Sequence, residues 1–330
     1  MDRCPLATLP TPLEPMDRLG AALGLDAGTL WVKRDDLTGL AGGGNKARKL
    51  EHLVAEALAQ GCDTLVTAGA IQSNHVRMTA AAACRVGMRC VAVLNGDVSG
   101  ASAAPEGNLV LDRLFGAELV LVGDVDSFVR DQRLAETCVA LHAAGARPYE
   151  IPVGGASPVG TLGYVRAAAE LSAQAPLGAV VYCAVGTGGT YAGLAVGLGS
   201  HDRVRGVAVG PVPELDARID ELVPAVATLA GVPFPSGQRR LDASQIGEGY
   251  GIPTPAGLEA IALAARWEGL VLDPVYTAKA CAALVADCRA GRVPEGRPIV
   301  FLLSGGLRSI FAGRYAADVA GVGRTLDQRG

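Results

Sequence analysis

Short apolar runs alternate with amphipathic stretches along almost the whole chain, and nothing else constrains its fold as strongly. Leu30–Lys33, Thr64–Ala68, Arg89–Leu94, Glu118–Val122 and Pro148–Pro152 read as strands, with helical periodicity between them. A parallel neighbour needs a long crossover, so this rhythm predicts parallel strands with helices on their faces. The cluster VGGASPVGTLGY, Val153–Tyr164, interrupts the pattern as a candidate hinge. A second series follows: strands near Ala179–Val185, Val204–Val209 and Pro298–Leu303, and helices near Thr190–Leu198, Pro255–Arg266 and Ala278–Ala290. At 330 residues the expected result is an α/β protein of two lobes, each an open, mostly parallel sheet covered by helices.

Composition narrows the partners. The net charge of -4 includes no basic run, which argues against nucleic acid and anionic membranes. Ala179–Val185 and Ile299–Leu303 are far shorter than the roughly 20 residues of a spanning helix. The opening MDRCPLATLPTPLEP has charges and prolines where a signal peptide has an apolar run, so a cytoplasmic protein is expected. The eight cysteines are scattered without a CxxC pair and read as free thiols buried as small hydrophobes. His52, His75, His142 and His201 show no ligand spacing, and no metal site is expected. Aromatic residues are only 4%, so the alanines of Thr79–Cys84 and Ala167–Ala169 suggest helices packed closely on an aliphatic core.

Four places could carry chemistry. In the helix expected at Asn45–Gln60, Lys46 shares a face with Leu50, Leu53, Val54, Ala57 and Leu58, just after the turn of Gly42, Gly43 and Gly44. Desolvation there would lower its pKa and make it a nucleophile toward an aldehyde; a lysine snorkelling from a helix end fits the same spacing. In AVGTGGT, Ala184–Thr190, a buried strand meets a glycine loop and a helix start, which suits a phosphate or serves only as a tight turn. It is not a dinucleotide fingerprint, because Tyr191 stands where GxGxxG needs glycine. Ser73 and Asn74 of AIQSNH, and Thr277 of LDPVYTAK, lie at helix starts where they could simply be caps.

GLAGGGNKARKLEHL, TAGAIQSNH, GEGYGIPT and LDPVYTAKA, in that order and at those separations, resemble the D-cysteine desulfhydrase and 1-aminocyclopropane-1-carboxylate deaminase family over nearly the whole chain. The resemblance implies a fold type II pyridoxal 5'-phosphate enzyme of the tryptophan synthase β kind, usually a homodimer. A small α/β domain, residues 48–157, would be inserted into a larger cofactor-binding domain of residues 1–47 and 158–330. Carried over, Lys46 would hold the cofactor as a Schiff base, and Asn74 would lie near its ring oxygen. Gly186, Thr187, Gly188, Gly189 and Thr190 would hold the phosphate. Ser73, His75, Tyr250 and Tyr276 would face the substrate, with Ser73 and Tyr276 joining Lys46 in catalysis.

The resemblance also bears on reaction type. Thr277 stands where the cyclopropane deaminases carry glutamate, DPVYEGK, and where desulfhydrases and L-cysteate sulfo-lyases carry threonine. A neutral neighbour at the pyridine nitrogen makes the ring a shallower electron sink, which suits expulsion of a good β-leaving group. The expected reaction is α,β-elimination of D-cysteine or a similar β-substituted alanine to pyruvate, ammonia and sulfide. L-cysteate cleavage and cyclopropane deamination are the alternatives, and a non-covalent nucleotide- or anion-binding protein is the alternative of a different class. Met78 stands where the desulfhydrase-like pattern has glutamine, Leu307-Arg308-Ser309 where it has a proline-alanine pair, and Gly313 where it has an aromatic. Arg308 is a candidate partner for an anionic substrate tail such as a sulfonate.

Overall fold

The computed structural model describes residues 2–97, 105–210, 215–293 and 296–325. The chain runs through β1 (Leu13–Pro15), α1 (Asp17–Ala22), β2 (Leu30–Arg34), α2 (Lys46–Ala59), β3 (Thr64–Ala70), α3 (Asn74–Val86), β4 (Arg89–Asn95), α4 (Asn108–Leu114), β5 (Glu118–Gly123), α5 (Ser127–Ala143) and β6 (Pro148–Ile151). It continues through α6 (Pro158–Gln174), β7 (Val180–Val185), α7 (Gly189–Leu198), β8 (Val204–Ala208), α8 (Leu215–Ala230), β9 (Leu241–Asp242), α9 (Pro255–Glu268), α10 (Thr277–Arg289), β10 (Ile299–Leu303) and α11 (Gly313–Thr325). One sheet has the order β1-β2-β10-β7-β8-β9 and the other β5-β4-β3-β6. Every pairing is parallel except β1 with β2.

Alternation along the strands explains why both sheets are covered twice. In β7, Val181, Cys183 and Val185 face a core with α6, α7 and α8, while Val180 and Tyr182 face a second core with α9 and α10. In β3, Leu65 faces α2 and α3, while Val66 and Ala68 face α5. Such two-sided burial is what parallel sheets require. Glycines let α2, α6 and α7 approach at backbone distance: a Cβ on Gly163 of α6 would lie 2.3 Å from the Arg48 carbonyl oxygen, and one on Gly193 of α7 2.5 Å from Tyr164 Cβ.

Several expectations change. The second half of the Val153–Tyr164 cluster is helix rather than hinge, because Ser157 caps α6 by accepting from the Gly160 amide and Pro158 opens its first turn. Only Val153–Gly155, a single 3-10 turn, separates it from β6. Leu58 is 45% exposed instead of buried, lying in the last turn of α2 at the edge of its apolar stripe. The thiols are all free, yet Cys84 is exposed near the end of α3, with its Sγ 3.0 Å from the Phe115 carbonyl oxygen. Among the described residues no helix is long and apolar enough to cross a membrane.

Candidate active site

The glycine turn before α2 is held at both ends. Gly43 has φ +87, and a Cβ there would lie 1.7 Å from the Asp36 carbonyl oxygen, so only glycine fits. The Asn45 amide donates to the Ser304 carbonyl at 2.9 Å, beside Gly305 and Gly306. A Cβ on Gly306, φ +103, would meet the Asp273 side chain at 2.6 Å. Three segments distant in sequence thus converge on Lys46, which hydrogen-bonds Asn45 Oδ1 at 3.0 Å. Burial pulls the Lys46 pKa down to about 8, and Arg77 adds to that, while Asp273 opposes it. A lysine at this value is part free amine at neutral pH, which is the nucleophilic form.

Next on the same face of α2 is Lys49, fully buried, donating to the Gly154 carbonyl at 3.1 Å. Burial, then the charge of Lys46, lowers its pKa well below the usual value. It faces the Gly186–Thr190 loop at the carboxyl end of β7: a Cβ on Gly189 would lie 2.7 Å from Lys49 Nζ and 3.0 Å from Thr161 Oγ1. The Thr161 hydroxyl is buried and has no hydrogen-bond partner. No side chain caps α7, whose N-cap is Gly188, so its leading amides have no intrahelical acceptor. A lysine amine, an orphaned hydroxyl and a bare helix N-terminus around one glycine form a cradle of donors that an anion satisfies, and a bound anion would favour the protonated form of Lys49. Asn45 Nδ2 reaches Thr190 Oγ1 at 3.3 Å and links this cradle to Lys46.

At the start of α3, Ser73 Oγ accepts from the Val76 amide at 3.2 Å, so its cap role is real and its own proton stays available. Asn74 Oδ1 accepts from Arg77 Nη1 at 2.8 Å and Asn108 Nδ2 at 2.9 Å. With its oxygen committed, Asn74 presents its amide Nδ2 as a donor. His75 departs from the expectation of a substrate contact: it is 3% exposed and its Nε2 lies 2.9 Å from Thr67 Oγ1 on β3. One helical step of about 100° turns it from its neighbours' direction toward the sheet. Burial, then Lys46 and Lys49, hold its pKa well below the ordinary histidine value, so it is neutral.

Thr277 also departs from expectation. It is fully buried and its hydroxyl donates to Asp273 Oδ2 at 2.6 Å while accepting from the Asp273 amide at 2.7 Å. The Asp273 carboxylate accepts further from the amides of Val275, Tyr276 and Thr277, capping α10. Thr277 is therefore backed by a buried carboxylate and is not a free-standing neutral neighbour. Burial raises the Asp273 pKa, while the Thr277 hydroxyl and the three amides oppose the rise. Tyr276 and Tyr250 meet hydroxyl to hydroxyl, and Tyr276 Cε1 passes 3.4 Å from where a Cβ on Gly186 would stand. Burial, then Tyr250, pushes the Tyr276 pKa well up, so it keeps its proton.

Arg308 donates to the Gly42 carbonyl at 2.6 Å and Arg77 to the Gly43 carbonyl at 3.1 Å, placing two guanidinium groups on one turn. Burial, then Arg308, pulls the Arg77 pKa down to about 10. Among the described residues the carboxylate acting on Arg77 is Asp112, buried without a hydrogen bond and pushed up by burial to about 7, with Arg77 opposing.

A model of the pyridoxal-phosphate dependent enzyme family matches residues 5–305. The chain belongs to that family. It is 42% identical over 312 residues to a D-cysteine desulfhydrase of Yersinia pestis, covering 92% of this chain and 93% of the relative. A D-cysteine desulfhydrase of Salmonella choleraesuis is 42% identical over 321 residues, covering 94% and 95%. Among solved structures, one described as an ACC deaminase homologue superposes with a TM-score of 0.88 at 36% identity, covering 98% of this chain and 96% of the other. The processed form of threonine deaminase isoform 2 from Solanum lycopersicum shares the fold, with a TM-score of 0.68 at 18% identity and coverage of 96% and 84%. The cofactor is thus pyridoxal 5'-phosphate, and the architecture is that of the fold type II enzymes. The residues present fit it: the orphaned Thr161 hydroxyl, Lys49 and the bare start of α7 could hold the phosphate, and Lys46 could reach the aldehyde.

Proposed function

We propose that this chain eliminates the β-substituent of D-cysteine or a close β-substituted alanine, giving pyruvate, ammonia and sulfide. The carrying observation is 42% identity to D-cysteine desulfhydrases over 92% of the chain. When bound, the cofactor supplies an electron sink for the bond broken at the substrate's Cα. The chain does the rest. Lys46 would hold the cofactor, and its amine is the base that would take the Cα proton. The Cβ–S pair leaves with sulfur, which Tyr276 and Tyr250 meet with their hydroxyls, and water completes the release of ammonia and pyruvate. Asn74, with its oxygen committed, would donate to the cofactor's ring oxygen, and Ser73 would bind the substrate. Gly186, Thr187, Gly188, Gly189 and Thr190, with Lys49, would hold the phosphate.

The two sheets are read as two lobes, residues 48–157 forming the small one and 1–47 with 158–330 the cofactor-binding one. The enzyme is read as a cytoplasmic homodimer acting on small amino acids, without nucleic acid or membrane partners. Light scattering checks the oligomeric state. Arg308, beside the Gly42 carbonyl and not fully buried, favours a second reading, an anionic tail such as the sulfonate of L-cysteate.

The test is a product assay. Saturating D-cysteine should yield pyruvate and sulfide much faster than the cyclopropane amino acid yields 2-oxobutyrate. Dominant 2-oxobutyrate would replace this reading with deamination, and sulfite from cysteate with the sulfonate reading.

Lys49→Met tests the cradle separately. It should weaken pyridoxal phosphate binding by roughly 10- to 100-fold, since a charge-assisted contact is lost. The cofactor-free protein should melt no lower, because the buried amine that is lost makes a single hydrogen bond, to the Gly154 carbonyl. Unchanged affinity in a fluorescence titration removes Lys49 from the phosphate site.

A further inference from the structure

Lys279 lies in the first turn of α10 and is fully buried, and neither the covalent chemistry nor the phosphate cradle uses it. Its ammonium donates to three main-chain carbonyls, those of Val209 at 3.0 Å, Ile246 at 2.7 Å and Gly249 at 3.0 Å. An ammonium has three hydrogens, and each finds one oxygen. The match also fixes the protonation state, since a neutral amine would turn its lone pair against one carbonyl. Burial lowers its pKa, and no carboxylate pairs with it among the described residues. The first turn of a helix is also where the macrodipole disfavours a cation. The oxygen cage must offset both costs.

The cage joins pieces of the candidate site. Val209 follows β8, which pairs with β7 and hence with the strand leading into the Gly186–Thr190 loop. Ile246 and Gly249 precede Tyr250, and Lys279 follows Tyr276 by three residues. One buried cation therefore ties the two facing tyrosines to the large sheet.

We propose that Lys279 is a built-in monovalent cation, its ammonium standing where a potassium or ammonium ion would be held by carbonyl oxygens, and that it positions Tyr250 against Tyr276. Hard cations take oxygen ligands in just this way, and the lysine head is close to potassium in size. It is a positioning residue, and the inference holds for any substrate of the enzyme.

The variant Lys279→Met fills the stem and ends one atom short, leaving an ammonium-sized space among the three oxygens. In choline chloride the variant holoenzyme should lose roughly 10-fold or more in kcat/KM, because buried carbonyls go unsatisfied. Its melting temperature should fall by about 5 °C or more on the same ground. Potassium or ammonium chloride should restore both with saturation, lithium chloride should not, and the wild type should respond to none. If the variant is isolated unfolded, refolding yield in potassium against choline chloride reads the same effect. A variant equal to wild type in choline chloride, a loss that no cation restores, or a wild type activated by potassium would each overturn the proposal.

Discussion

Replacing Lys46 with alanine should lower kcat by roughly 10³-fold or more while the protein stays folded. The residue would then be missing both as the covalent anchor and as the amine nearest the substrate's Cα. Its first-turn position at the surface of α2's buried stripe makes truncation cheap for the fold, since Lys46 is only half-buried and donates one hydrogen bond, to Asn45. The variant should also lose the violet absorbance of the bound cofactor, and circular dichroism should match the wild type. Protonation gives a second arm. Burial lowers the Lys46 pKa to about 8, so the free amine accumulates as pH rises through that value. Capture of added pyridoxal phosphate by the cofactor-free protein should accelerate through pH 8 and level off above it. A rate flat across that range, or turnover within about tenfold of wild type in Lys46→Ala, contradicts the assignment.

The second large effect is on stability. Arg48 Nε and Nη2 bind both oxygens of Asp35 at 2.9 and 2.8 Å, and its Nη1 and Nη2 bind Glu170 at 2.8 and 2.9 Å. Tyr164 and Thr11 complete Asp35, and Lys33 reaches Glu170 at 3.1 Å. Asp35 is fully buried, so removing its cation strands a charge in the interior. Arg48→Leu should therefore cost roughly 3–5 kcal/mol, read as a drop in melting temperature of roughly 10 °C. Burial alone would raise the pKa of Asp35 and of Glu170, but Arg48 overrides it and both end below the ordinary carboxylate range. With folded-state values depressed, their contribution is present at neutral pH and lost on acidification through those values. The penalty of Arg48→Leu should shrink as pH falls. A penalty under about 0.5 kcal/mol, the range of a surface substitution, would remove the cluster from the account of how α2 is fixed to β2 and α6.

What the sequence disclosed followed from periodicity, and what it hid depended on contacts. The eight strands expected from apolar runs all appear, because alternation with both faces buried is written in consecutive residues. The antiparallel β1 and the two-residue β9 are too short to carry a pattern. The face of α2 disclosed Lys46, and the same i,i+3 spacing could have placed Lys49 beside it. Thr161 left no signal, since its hydroxyl matters only where α6 crosses the start of α7. Ser73, Asn74 and His75 illustrate the opposite limit: consecutive residues at a helix start point in different directions, so a motif overstates how many of them share one space. Asp273 could not be read from the sequence as the acceptor of the Thr277 hydroxyl, because that bond needs α10 to begin at Thr277.

The central claim, that Lys46 carries the cofactor, is tested most directly by reducing the holoenzyme with borohydride and mapping the labelled peptide by mass. The other three lysines are all occupied, Lys33 by the Thr11 carbonyl, Glu170 and Gln174, Lys49 by the Gly154 carbonyl and Lys279 by three carbonyls. The label should fall on Lys46 alone, whereas a pyridoxyl group on Lys49 or Lys279 would contradict the account.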